Sequence, residues 1–152
     1  MGKEAAQNII VKKISEAIAQ FPVDKRPDPE RYSIDSYGKL ILYNKKILPE
    51  ILFVIINTKW ITRFEARSLN IQDSEAREIA QALPKSNLMY LNLRNNNIIG
   101  DGIEAIARVL PQSKLRGLNL SDFNRVTEEA ARIFEETIPK SQLKWLDLYN
   151  AQ

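Results

Sequence analysis

The stretch Leu88–Leu110, LMYLNLRNNNIIGDGIEAIARVL, decides how the chain is read. Leu91-Asn92-Leu93-Arg94 alternates apolar and polar residues, the period of a half-buried strand. Ile103, Ile106, Ala107 and Leu110 then recur at helical spacing, so one helix face is apolar. A strand, a turn and a helix within 23 residues leave both apolar faces uncovered. Such a unit is stable only with copies of itself on either side.

Working outward, the copies are legible. Ala66-x-x-Leu69-x-Ile71, Leu88-x-x-Leu91-x-Leu93, Leu115-x-x-Leu118-x-Leu120 and Leu143-x-x-Leu146-x-Leu148 align. The expected helix ends also align: Leu83-Pro-Lys-Ser, Leu110-Pro-Gln-Ser and Ile138-Pro-Lys-Ser, at spacings of 27 and 28 residues. Proline at equivalent positions stops the three helices in the same way. Asp101 with Glu104 is placed to form a capping box at the start of one of them.

Residues 66–149 therefore resemble leucine-rich repeats of the ribonuclease-inhibitor-like class, whose strand motif LxxLxLxxN precedes a helix. The second repeat matches best, with Leu88, Leu91, Leu93, Asn96, Ile98, Gly102, Ile106 and Leu110 at motif positions. The resemblance implies that Asn96 bonds turn backbone in an asparagine ladder. It implies an α/β solenoid, parallel strands concave and helices convex, that binds proteins. It names no partner: the class occurs in innate immune sensors, actin-end cappers, GTPase activators and secreted bacterial effectors.

Three departures from the pattern stand out. The first clear repeat, framed on Ala66, is five residues short between Ile71 and its helix and lacks the Asn turn. The third has an extra residue, with Phe123 where Asn would stand and Asn124 one step later. The fourth stops after Leu148-Tyr149-Asn150, with no helix to follow. An open parallel strand with an apolar face is a liability. The readings are a truncated chain, partly exposed Leu146 and Leu148, or a second molecule of the chain covering them as a homodimer.

The N-terminal segment, residues 1–63, reads as a helical cap, and residues 64–152 as the repeats. Residues 4–21 form an amphipathic pattern with Ile10, Ile14, Ile18 and Phe21 as its stripe and Val11 beside it. The expectation is a helix packed on the domain, with membrane-surface or partner docking as the alternative. Pro22, Pro27 and Pro29 mark an extended linker. Tyr32, Ile34, Leu40 and Leu42 alternate across Ser36-Tyr37-Gly38, a hairpin pattern. Tyr37, Leu40 and Leu42 also share the spacing of Leu88, Leu91 and Leu93, as a degenerate first repeat would. Pro49 opens an all-round apolar helix, Ile51–Ile56 at its heart. Residues 45–58 are expected to cover the end of the sheet.

Composition narrows function by exclusion. The chain has no Cys and no His, which removes disulfides, thiol nucleophiles, imidazole bases and the usual zinc ligands. No cofactor or metal is expected. Most carboxylates fall on helical stretches, and Gly100-Asp101-Gly102 is followed by no Lys-Ser/Thr, so neither an acid–base pair nor a phosphate loop is recognisable. An enzyme is not expected. No run of 18 apolar residues and no secretory leader is seen. The expected location is the cytoplasm, with a delivered effector as the alternative. Net charge is +3, and the basic doublets Lys12-Lys13, Lys25-Arg26 and Lys45-Lys46 are separated by acids. That pattern lacks a basic stripe, so nucleic acid is not an expected partner.

Residues between the leucines of each strand should face the concave side. They form three columns: Ser68, Tyr90, Gly117, Trp145; then Asn70, Asn92, Asn119, Asp147; then Gln72, Arg94, Ser121, Tyr149. Gly117 would leave a notch between the walls of Tyr90 and Trp145, with Arg94 and Asp147 nearby. Tyr, Trp and Arg are enriched at binding hot spots. The expected partner-binding residues are therefore Tyr90, Asn92, Arg94, Asn119, Ser121, Trp145, Asp147 and Tyr149. The competing readings are aromatics placed for sheet propensity and a merely solvated polar column. The runner-up role is self-assembly through the open final strand.

Overall fold

A computed structural model describes residues 2–151. Residues 1 and 152, the outer limits of the two expected segments, lie outside the described residues. Six strands of the described residues form one sheet in chain order: β1 (Tyr32–Ile34), β2 (Lys39–Leu42), β3 (Arg63–Glu65), β4 (Tyr90–Asn92), β5 (Gly117–Asn119) and β6 (Trp145–Asp147). β1 and β2 are antiparallel, and every later pair is parallel. Among the described residues five α-helices accompany them: α1 (Lys3–Ala19), α2 (Leu48–Asn57), α3 (Asp73–Ala82), α4 (Gly100–Val109) and α5 (Glu128–Thr137). They pack on one another in chain order, α1 on α2 and so on to α5.

The strand leucines behave as their alternation requires. Leu40, Phe64, Leu91 and Leu118 lie opposite one another across four strands and are fully buried. One continuous apolar cluster runs from Ile14 to Leu143. The expected division at residues 63 and 64 falls inside β3.

The first clear repeat is framed differently from the sequence expectation. Phe64, not Leu69, sits opposite Leu91, and Ile61, Phe64 and Ala66 fill the positions of Leu88, Leu91 and Leu93. The repeat therefore has the same 27-residue length as its neighbour and is not five residues short. Ala66, Leu69 and Ile71 gave a fuller leucine-like pattern, but that segment is the turn leading into α3, with Ser68 and Asn70 in left-handed backbone.

The N-terminal segment joins the same sheet. Residues 32–42 form the expected hairpin, and its second strand, β2, is also the parallel neighbour of β3; Leu40 and Leu42 are buried as a repeat requires, but Tyr37 is exposed. Gly38 turns the hairpin at φ +82°, where a Cβ would stand 2.0 Å from the Trp60 carbonyl oxygen. Its own carbonyl accepts from the Thr62 and Arg63 N–H groups. Residues 45–58 do not cover the sheet edge. α2 lies in the helix layer between α1 and α3, which is why it is apolar on most sides, and β1 forms the edge. α1 packs on the domain through Ile14 and Ala17, and Phe21 meets Phe53 edge-on at 4.9 Å, but Val11 is exposed. The proline segment is not simply extended: Val23–Lys25 makes a 3-10 turn and Pro27 is buried.

The three Pro-Ser ends share one device. α3, α4 and α5 each tighten into a 3-10 turn containing the proline. Ser86, Ser113 and Ser141 then donate to the carbonyls of Leu83, Leu110 and Ile138, and accept from the N–H of Leu88, Leu115 and Leu143. One hydroxyl thus satisfies two backbone groups where helix turns to strand.

Candidate functional site

The exposed face of the sheet is set by strand register. Opposite Tyr90 lie Arg63 on one side and Gly117 on the other, and Trp145 follows Gly117. The column is Lys39, Arg63, Tyr90, Gly117, Trp145, so Arg63 replaces the expected Ser68. Glu65 likewise replaces Asn70 beside Asn92. Arg67 continues the register beside Arg94, where Gln72 was expected. Gln72 instead precedes α3 as its N-cap residue.

The notch over Gly117 is narrower than expected. A Cβ there would stand 2.7 Å from Cδ1 of Tyr90 and 3.2 Å from Cε3 of Trp145, so the two rings converge over the glycine. The Arg63 guanidinium lies 4.5 Å from the Tyr90 ring centroid, within cation–π range. Arg63, Glu65, Tyr90, Asn92 and Trp145 border a cleft of about 120 Å³. Tyr90 is 39% and Trp145 50% exposed, so both rings offer apolar surface to a partner.

The polar column is committed to the backbone. Asn92 Oδ1 accepts from Arg94 N–H, Asn119 Oδ1 from Ser121 N–H, and Asp147 Oδ1 from Tyr149 N–H. Each closes the end of its strand by an Asx turn. Asn119 also accepts from the Ser121 hydroxyl, and both side chains are buried. Their place on the expected contact list is therefore a structural one. Arg94 is held by Asp122 at 2.7 Å rather than by Asp147. Tyr149 is 73% exposed at the outer strand.

A second concavity, of about 480 Å³, lies where the loops leave the strands, with Tyr43, Arg67, Arg94 and Phe123 among its borders. Phe123 is exposed, in left-handed backbone at φ 59° directly after Asp122 at φ 55°. This double turn absorbs the extra residue of the third repeat and brings Asn124 into the ladder. Asn124 accepts from Ile98 N–H and donates to the Leu93 and Leu120 carbonyls.

Arg63, Glu65 and Arg67 were missed by the sequence reading. The signal was available: counting back the 27 residues between Leu110-Pro and Leu83-Pro from Leu91 reaches Phe64. Among the described residues no cluster of Asp and Glu is arranged to hold a metal, and no helix is long and apolar enough to cross a membrane.

No family model matches this sequence, and no curated protein matches it. Among solved structures, the leiomodin-1 actin-binding site 2 is similar to this chain, at a TM-score of 0.64 and 23% identity. The match covers 69% of this chain and 63% of that one, so the chain spans less than two thirds of its neighbour's length. The fold is leucine-rich-repeat-like. At this identity the likeness is one of backbone architecture.

Proposed function

We propose that the chain is a protein-interaction module without catalysis of its own, a short leucine-rich-repeat solenoid of the ribonuclease-inhibitor-like class, working in the cytoplasm. The partner lies across the exposed strand face. The observation that carries this reading is the trio Arg63, Tyr90 and Trp145, half-exposed side chains of hot-spot type held in register on a rigid sheet. Arg94 and Tyr149 extend the contact towards the loops. Asn92 and Asp147 shape the strand ends rather than carry affinity.

The test is capture of partners by immobilised protein, with monomeric and filamentous actin as the first defined probes because the structural neighbour bears an actin-binding name. Tyr90→Ala with Trp145→Ala is expected to weaken capture by about 2 kcal/mol or more. Unaltered capture by a normally folded double variant rejects the reading. Self-association through β6 stays as a second reading, supported by Leu146 and Leu148 being only partly buried beside exposed Trp145.

A further inference from the structure

Four connections enter β3, β4, β5 and β6 side by side. Met89 N–H donates to the Thr62 carbonyl, Arg116 N–H to that of Met89, and Lys144 N–H to that of Arg116, at 2.7, 2.8 and 2.8 Å. The stacking gathers charge that is scattered along the chain. Segment 57–63 brings Lys59 and Arg63, segment 84–90 brings Lys85, segment 111–117 brings Lys114 and Arg116, and segment 139–145 brings Lys140 and Lys144. None of these segments contains an Asp or Glu. All seven cations are exposed, and among the described residues none forms an ion pair.

Elsewhere in the repeat region, Arg125 apart, cations are placed beside acids. Arg67, Arg77, Arg94, Arg108 and Arg132 are each paired with a carboxylate. Helices α3, α4 and α5 carry nine carboxylates against three guanidinium groups. Lys85 and Lys140 follow helix C-termini, where a cation is favoured without any partner. Lys114, Arg116 and Lys144 have no such reason to be there. Lys114, Arg116 and Lys59 border an open cleft of about 470 Å³, with Asn87 and Gln142 between them.

We infer that this rim docks an acidic segment of a protein partner, its carboxylates taken by Lys114, Arg116 and Lys144. Unpaired cations around a groove offer charge complementarity that steers and fixes an anionic chain. Asn87 Oδ1 accepts from the Lys114 ammonium and holds it at the cleft, and the Gln142 amide suits the backbone of an extended peptide. No aromatic ring borders the cleft, so it lacks the stacking platform of a single-strand nucleic-acid groove. The inference rests on the reading of the chain as a protein-binding module, but its cations Lys114, Arg116 and Lys144 are distinct from the Arg63, Tyr90 and Trp145 trio, and of the seven only Arg63 belongs to that face.

The experiment is fluorescence anisotropy with a labelled dodecapeptide alternating Glu and Gly, at low and high salt. Oligothymidylate and phosphatidylserine vesicles are compared on the same protein. The peptide is expected to bind, and to be released by salt. Lys114→Glu with Arg116→Glu is expected to weaken it about tenfold or more, with Lys114→Gln and Arg116→Gln as a milder pair. Lys12→Glu with Lys46→Glu makes the same change in net charge on exposed positions elsewhere and is expected to leave affinity within about twofold. Equal weakening by both pairs, absence of peptide binding, or tighter binding of oligothymidylate or vesicles overturns the proposal. If peptide binding is absent while the Tyr90 and Trp145 variants still weaken capture, this inference falls alone. If neither surface captures anything, the module reading falls with it.

Discussion

Asn96 shows how much one side chain holds. It is buried, and its Oδ1 accepts from the N–H groups of Leu69 and Ile71 while its Nδ2 donates to the carbonyls of Ala66 and Leu93. Leu69 stands where the preceding repeat would carry its own asparagine, so Asn96 serves two turns. Replacing it by Ala leaves buried amides without acceptors. Asn96→Ala is expected to lower stability by about 2–4 kcal/mol, read as a shift of the urea midpoint with unchanged slope. A shift within error would mean that the turn closes without it. Gly102 works at the same scale by having no side chain. A Cβ there would stand 2.6 Å from both Asp73 Oδ1 and Ile98 Cγ2. The expected capping box of Asp101 and Glu104 is absent, and Asp73 of the preceding helix supplies the cap instead, accepting from Ile99 and Gly102 N–H.

At the scale of the element, the start of α3 ties two β–α units together. Glu75 accepts from the Gln72 N–H at 2.8 Å and from Lys45 at 3.2 Å, and Lys45 also donates to the Asn70 carbonyl. Partial burial pushes the Glu75 carboxyl up, but the Gln72 N–H and the Lys45 ammonium outweigh it and hold the group below its ordinary value of 4.5. A carboxyl lowered on folding adds stability that is complete above its unfolded pKa and is lost as pH falls through the folded one. Glu75→Gln is therefore expected to be less stable than the parent at neutral pH and to converge with it as pH drops below 4.5. A stability gap that persists undiminished at acid pH would show that the cap, not the charge, is responsible.

At the scale of the molecule, the question is whether the N-terminal segment is a separate unit. β1 and β2 belong to the same sheet as the repeats, and α2 packs on α3. Unfolding is expected to be one cooperative transition. Trp60 and Trp145 report on the two expected segments. Single-tryptophan variants Trp60→Phe and Trp145→Phe should each show fluorescence and circular-dichroism midpoints that coincide. A fluorescence transition of Trp60 separated from the loss of helix would support the division at residues 63 and 64. The charge layout is also a property of this scale. Along the sequence the charge shifts only from net positive in residues 1–63 to near neutral in 64–152, whereas the stacked loops and helices α3–α5 are of opposite sign.

The α/β layout was legible because local periodicity is written residue by residue. Alternation in Leu91–Arg94, the 3.6-residue stripe from Ile103 to Leu110 and the Pro-Ser ends depend on neighbours within a few positions. Tyr90, Trp145 and Arg94 were legible as exposed strand residues for the same reason. The frame of β3 was not, since Phe64 and Ala66 look less like a leucine motif than Leu69 and Ile71, and only pairing against β4 decides between them. Arg63 beside Tyr90, the rings meeting over Gly117 and the unpaired cations at one rim all require residues of neighbouring repeats, 27 or 28 positions apart from strand to strand, to be brought side by side. A linear pattern carries each residue's preference for a face of its own element. What stands next to it on the neighbouring element is settled only when the strands pair and the helices stack.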